Sequence, residues 1–280
     1  MFMPYRLLAL DVDGTLLDPA GELRPRVQEA VLAVQQLEVQ VVLCTGRRFR
    51  TARPLAQALQ LTGSIVVHNG ALIKDLTSAQ TLQQHAMPSE TYQHALALLR
   101  RVSSPMIYVD GFHENVDIFT EPVARAHPFQ REYLESHLAH CRIVDDIASP
   151  LARGALLMSI MADYASLQAL APVVEHALGA RARVHCLVNK NYQGHILEVL
   201  QAGVSKWQAL QALAAAQGIA PADIMAVGDD RNDLDMLRHA GLGVAMGNAV
   251  PAVQAEADAV TGTNAEDGLV QALERFILRA

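Results

Sequence analysis

Two aspartates one residue apart, Asp11 and Asp13, end an apolar run and precede a glycine and a threonine in LLALDVDGTLLD (Leu7–Asp18). An unpaired carboxylate at the edge of a core costs several kcal/mol or more to desolvate, so something must compensate it. Candidates lie far along the chain: Thr45, Gly46 and Arg47 in CTGR, Asn69 in NGA, Lys206 directly after Ser205, and Asp229, Asp230, Asn232 and Asp233 in GDDRND. Carboxylates gathered at one place repel unless a cation joins them, and magnesium prefers one to three carboxylates with water and phosphate oxygens. A lysine in the first turn of a helix adds to free N–H groups that already favour an anion. Such an inventory describes a phosphoryl-transfer centre, where catalysis is mostly positioning and charge stabilisation.

Each residue taken alone has a plain structural reading. An Asp-x-Asp after a strand is most often a turn, Thr45 and Arg47 can cap the following helix, Asn69 before glycine is a common turn, and Lys206 and Asp233 suit the solvated ends of helices. Their conjunction at one sheet edge is what points to chemistry.

The elements needed for that conjunction are legible. Residues 7–12, VQVVLCTGR and SIVVHNGA read as buried strands, with helices over RPRVQEAVLAVQQLE and PLAQALQL between them. Strand, helix, strand, helix, strand implies a parallel sheet covered on both faces, an α/β doubly wound core with ligands at the carboxyl ends of its strands. Near residue 82 the rhythm changes. Helices are expected at Ser89–Val102, Pro122–His140 and Ser166–Leu178, and strands at Met106–Asp110, Asn115–Phe119, Arg142–Asp145, Ala155–Met161 and Arg183–Val188. Strands in succession without helices imply antiparallel pairing, so residues 83–190 read as an α+β domain inserted into a core made of 1–82 and 191–280. The core pattern then resumes: a helix with Ser205 as N-cap and Gly218 near its end, a strand in DIMAVGDD, a short helix closed by Gly241, strands in GLGVAMGNA and ADAVT, and a last helix in EDGLVQALERFIL.

Composition narrows the class. The chain has 280 residues, 51% hydrophobic, with a formal charge of −7, a poor footing for phosphate-backbone or membrane-surface binding. Neither nucleic acid nor membrane is expected as a partner. Cys44, Cys141 and Cys186 are scattered and odd in number, which suggests no disulfide framework or zinc site and fits a cytoplasmic setting. The 11 histidines form no HExxH pair.

DVDGT, CTGR, Lys206 and GDDRND, in that order, resemble the haloacid dehalogenase superfamily. NGA (Asn69–Ala71), GVAMGNA (Gly243–Ala249) and EDGL (Glu266–Leu269) extend the likeness to the Cof-type sugar-phosphatase branch, which inserts a large cap domain between its second and third motifs. The resemblance implies that Asp11 is the nucleophile, forming an aspartyl-phosphate, and that Asp13 is the general acid and then the general base. Thr45 and Lys206 would hold phosphoryl oxygens, with Gly46, Arg47, Asn69 and Asn232 as further substrate-binding residues. Asp11, the Asp13 carbonyl, Asp229 and Asp233 would form the Mg2+ site directly or through its outer sphere. Trp207 stands where the family usually has glycine.

The expected activity is magnesium-dependent hydrolysis of a small phosphorylated metabolite, with a sugar phosphate foremost, the inserted domain closing to exclude water. A phosphomutase on the same scaffold and a phospho-acceptor signalling domain remain alternatives. Leaving-group selection is expected in the inserted domain, with the polar stretch Asn189–His195 one place for it. The sequence leaves monomer and homodimer both open.

Overall fold

A computed structural model describes residues 5–148, 154–188 and 194–279. In chain order the first elements are β1 (Leu7–Leu10), α1 (Pro25–Gln36), β2 (Gln40–Leu43), α2 (Phe49–Ala58), β3 (Ser64–Val67), β4 (Leu72–Asp75) and β5 (Thr81–Gln84). There follow α3 (Ser89–Leu99), β6 (Met106–Tyr108), β7 (Ile118–Thr120), α4 (Pro128–His137), β8 (Cys141–Ile143), β9 (Leu157–Ala162), α5 (Tyr164–Leu178), β10 (Ala182–Val188) and β11 (His195–Gln201). The last are α6 (Lys206–Ala216), β12 (Ile224–Gly228), α7 (Leu234–His239), β13 (Leu242–Ala245), α8 (Pro251–Gln254), β14 (Ala259–Val260) and α9 (Gly268–Leu273).

The chain divides into two compact units, residues 1–83 with 205–280, and residues 84–204. In the first, five strands run in the order β14-β13-β12-β1-β2 with every adjacent pair parallel. Strand order reverses at β1, flanked by β2 on one side and β12 on the other, which is where an open α/β sheet parts its loops and binds ligands. Residues Leu7–Leu10 are fully buried. Leu7 and Ala9 pack with Trp207, Leu210, Ala214, Met236 and Leu237, while Leu8 and Leu10 point to the opposite face. The central strand therefore reads as a continuous apolar run, as it must when both faces are covered.

The third expected strand has a different place. β3 pairs antiparallel with β4 in a separate three-stranded sheet, β3-β4-β5, and meets the parallel sheet through the Cys44–Val66 bridge. The chain turns at residues 68–70, all with positive φ, the last being Gly70 at 97°.

In the second unit six strands run β10-β11-β9-β6-β7-β8, antiparallel except for the parallel pair β7 and β8. One face of this sheet, with Met158, Ile160, Leu197 and Val199, packs on Leu96 and Leu99 of α3 and Leu167, Leu170 and Val174 of α5. The return to the first unit lies later than the expected residue 191. His195–Gln201 is a strand hydrogen-bonded between β10 and β9, so its alternating apolar side chains belong to this sheet. The expected helix over Pro122–His140 shrinks to α4 because Pro128 drives the residue before it out of helical geometry, and His127 instead caps the helix through its ring. Of the stretch Asn189–His195, residues 189–193 lie outside the described residues.

Gly70 tests how the first unit is built: a Cβ there would fall 2.2 Å from the Ser205 carbonyl oxygen, at a φ that side chains avoid. Gly70→Ala is expected to cost about 2–4 kcal/mol, read as a lower urea midpoint, through overpacking and backbone strain together. An unchanged midpoint would contradict this packing.

Candidate active site

β1 hands the chain to a wide turn. Asp11 keeps an extended backbone and donates its N–H to Val227 of β12 (3.0 Å), and the Leu17 N–H closes the turn on the Val12 carbonyl (3.0 Å). Gly14, at φ 89°, makes the reversal that a side chain would oppose. Asp11 thus stays at the sheet edge with its side chain buried, while Asp13, half-buried, departs around the turn.

α6 starts beside it. Ser205 caps the helix, accepting from the Gln208 N–H (3.2 Å), and Lys206 in the first turn is buried. The Lys206 ammonium reaches Asp11 Oδ1 at 2.6 Å and Asp233 Oδ1 at 2.7 Å. Burial pulls the Lys206 pKa down, but Asp11 and Asp233 outweigh it, and the ammonium is held above the ordinary lysine range. This is the compensation that the buried carboxylates require.

β12 supplies the rest. Gly228 ends the strand where a Cβ would lie 2.5 Å from the Asp233 carboxyl carbon, so the glycine lets Asp233 fold back over its own turn. Asp233 Oδ2 accepts from the backbone N–H groups of Asp229 and Asp230 (both 3.0 Å). Both Asp233 oxygens are therefore engaged, one by backbone and one by lysine. Asp229, also buried, accepts from the Thr15 hydroxyl (3.2 Å). Carboxylate oxygens of Asp11, Asp229 and Asp233 come within 4.8 Å of one another. Hard oxygen donors so gathered fit a Mg2+ ion.

From β2 comes Thr45, buried, whose hydroxyl accepts from the Arg47 N–H (3.1 Å). Gly46 lies against the Asn69 amide, 3.2 Å from where its own Cβ would be, and Asn69 Oδ1 accepts from Asn232 Nδ2 (2.9 Å). Asn232 Oδ1 is buried and finds no hydrogen-bond partner among the described residues. Arg47 grips Asp13 with both arms of the fork, Nε to Oδ2 at 2.8 Å and Nη2 to Oδ1 at 2.6 Å. Arg47, expected from the sequence among the substrate-binding residues, is thus paired with the turn that follows β1.

The expected catalytic, phosphate-binding and metal residues are thus all in the first unit: Lys206 joins Asp11 to Asp233, Arg47 joins Thr45 to Asp13, and Asn69 joins Gly46 to Asn232. Trp207 is explained by packing: it is buried in the core cluster and stacks on the His239 ring, 5.6 Å between centroids at 18°. Sequence reasoning missed Thr15, which holds Asp229, and Asn248 and Asn264, which bond the turn after β1. Their signals, the threonine of DVDGT and the asparagine of GVAMGNA, are visible in the sequence, but nothing local says what they hold. Cys44 is buried, and burial is the chief cause that pushes its thiol far up.

Residues 8–273 match the haloacid dehalogenase-like hydrolase family model. The chain belongs to that family. It is 30% identical to the pyridoxal phosphate phosphatase YbhA of Escherichia coli over 96% of this chain and 97% of that protein. With the HMP-PP phosphatase of Serratia proteamaculans it shares 30% identity over 88% of this chain and 85% of the other. A haloacid dehalogenase-like hydrolase from Bacteroides thetaiotaomicron superposes with a TM-score of 0.79 at 28% identity, covering 97% and 99% of the two chains. This member of the family is of the Cof type, a phosphoric monoester hydrolase with an α/β core and an additional sheet domain. Among the described residues, no helix is long and apolar enough to cross a membrane.

Removing the Lys206 charge leaves Asp11 and Asp233 facing each other in a buried place. Lys206→Met is expected to lose about 3–5 kcal/mol at pH 7. Urea midpoints of both proteins at pH 7 measure it, and an unchanged midpoint would contradict the electrostatic assignment.

Proposed function

We propose that this hydrolase removes phosphate from a small phosphorylated metabolite by a magnesium-dependent route through an aspartyl-phosphate on Asp11. The observation that carries this reading is the Lys206 ammonium held between Asp11 and Asp233 beside Asp229. It keeps the Asp11 carboxylate ionised and fixed while leaving a positive charge where phosphoryl oxygens would arrive. Magnesium, held by Asp11, the Asp13 carbonyl and Asp229, with Asp233 acting from outside, would neutralise charge on the phosphoryl group.

The chain's own groups divide the work. Asp11 attacks phosphorus. Thr45 and Lys206 hold phosphoryl oxygens, and Asn232, steadied by Asn69, offers its amide edge to the same place. Asp13 gives a proton to the leaving oxygen and later takes one from the hydrolytic water. Arg47, bonded to both Asp13 oxygens, favours the base form and aims it, so the pair must open for the first half of the reaction. The relatives, a pyridoxal phosphate phosphatase and an HMP-PP phosphatase by name, support a small phosphorylated metabolite. A sugar phosphate remains the first candidate within that class.

Asp11→Asn should abolish phosphate release from every member of a panel of sugar phosphates, pyridoxal phosphate, flavin mononucleotide and nucleotides. Retained turnover would remove Asp11 as nucleophile. Chelation with EDTA should stop the parent enzyme and added Mg2+ restore it, and activity indifferent to both would contradict the metal assignment. Asp13→Asn should slow turnover by about 10²–10⁴-fold, the range for a lost general acid and base. With a hexose monophosphate, an isomeric product in place of free phosphate would mark a mutase.

A further inference from the structure

The turn that carries Asp13 is held from outside by two asparagines more than two hundred residues away in sequence. Asn248 Nδ2 donates to the Gly14 carbonyl (2.8 Å), and Asn264 Nδ2 donates to the Leu17 carbonyl (2.8 Å). The two are linked, because the Asn264 N–H donates to Asn248 Oδ1 (2.8 Å). Their loops are tied in turn: the Gly247 N–H bonds the Gly262 carbonyl (2.9 Å), and Thr263 and Glu266 cap each other reciprocally, hydroxyl to carboxylate at 2.8 Å. Next to this turn Asp267 receives Arg24 and Arg26 at 2.8 and 2.9 Å.

Asn248 is exposed, so water could satisfy the Gly14 carbonyl equally well, and the hydrogen bond adds little to stability. Its consequence lies in what Gly14 joins. The Gly14 peptide sits between Asp13 and Thr15, and glycine at positive φ is the residue of the turn freest to leave its conformation. The Gly14 carbonyl belongs to the Gly14–Thr15 peptide, so holding it fixes that plane and with it the backbone of Thr15, whose hydroxyl holds Asp229. The Asp13 carbonyl lies one plane back, across the Gly14 φ and ψ, and anchoring Gly14 at its far end limits how far those two dihedrals can swing it. Asp229 and the Asp13 carbonyl are both assigned above to the magnesium site.

We propose that Asn248, backed by Asn264, is a positioning residue for the metal-binding turn, setting the Asp13 carbonyl and the Thr15–Asp229 contact without touching substrate. The inference rests on the magnesium-dependent reading above. It gives the asparagine of GVAMGNA a specific role, since its amide donates to one carbonyl and accepts from one N–H, a pairing for which an aspartate of the same shape lacks the donor.

The test compares the full-length parent with Asn248→Ala and Asn248→Asp. Titration calorimetry with Mg2+ alone and melting temperature without metal are read beside steady-state kinetics at saturating Mg2+. Both variants should bind Mg2+ about tenfold more weakly, with kcat lowered about tenfold, the scale on which outer-sphere partners of metal ligands act. KM should stay within about twofold and the metal-free melting temperature should be unchanged, which separates positioning from loss of fold or of substrate binding. Mg2+ affinity equal to the parent's in either variant would overturn the proposal, as would a fall in metal-free melting temperature that parallels the loss. If the parent itself released no phosphate, the functional reading would fail. The calorimetric and melting arms would still decide the role of Asn248.

Discussion

One ammonium group organises the site. Lys206 stands between two carboxylates, Asp11 and Asp233, that arrive from strands on either side of the switch point, and all three are buried. Pairs of this kind rarely add net stability, since desolvation offsets most of the attraction. What they do is make position conditional: Asp11 can sit at the end of a fully apolar strand only if α6 delivers Lys206, and Lys206 can be buried only if both acids are present. The turn after β12 is shaped by the same need. Gly228 yields space for Asp233, whose second oxygen gathers two backbone N–H groups and so fixes the course of the turn that carries Asp229.

A second constraint follows from topology. Ligand-facing loops at the carboxyl ends of parallel strands are short and must be braced by one another. The 68–70 turn does this work, with His68 and Asn69 donating their N–H groups to the carbonyls of Arg47 and Thr45. Gly70 lies flat against Ser205, and Asn69 reaches Asn232. Three successive residues at positive φ are a local cost of about 1–3 kcal/mol for each that is not glycine, tolerated where surrounding structure over-determines them.

The parallel core was legible because its strands are continuous apolar runs ending in polar groups of unusual type, and the motif residues fall at those ends. β4 and β5 were not. Leu72–Asp75 contains Lys74, a buried lysine that breaks the apolar pattern, and Thr81–Gln84 is polar and mostly exposed, so periodicity carries no signal there. β11 is not legible as part of the inserted unit, because it follows a polar stretch that resembles a return to the core, and its pairing with β9 and β10 is what assigns it there. Within the site, residue types were readable and partnerships were not. Arg47 as the partner of Asp13, and Asn248 as the partner of Gly14, depend on the path of a five-residue turn, Val12–Leu16, which no local propensity encodes.

In the proposed mechanism the carboxylate secured by Lys206 becomes the phosphoryl carrier. Turnover quenched in the steady state and reduced with borohydride tests it, because reduction converts an aspartyl-phosphate to homoserine at the position that bore it. Peptide mass spectrometry should find the conversion at residue 11, dependent on both substrate and Mg2+. Conversion at any other aspartate, or steady turnover with residue 11 never converted, would contradict the account.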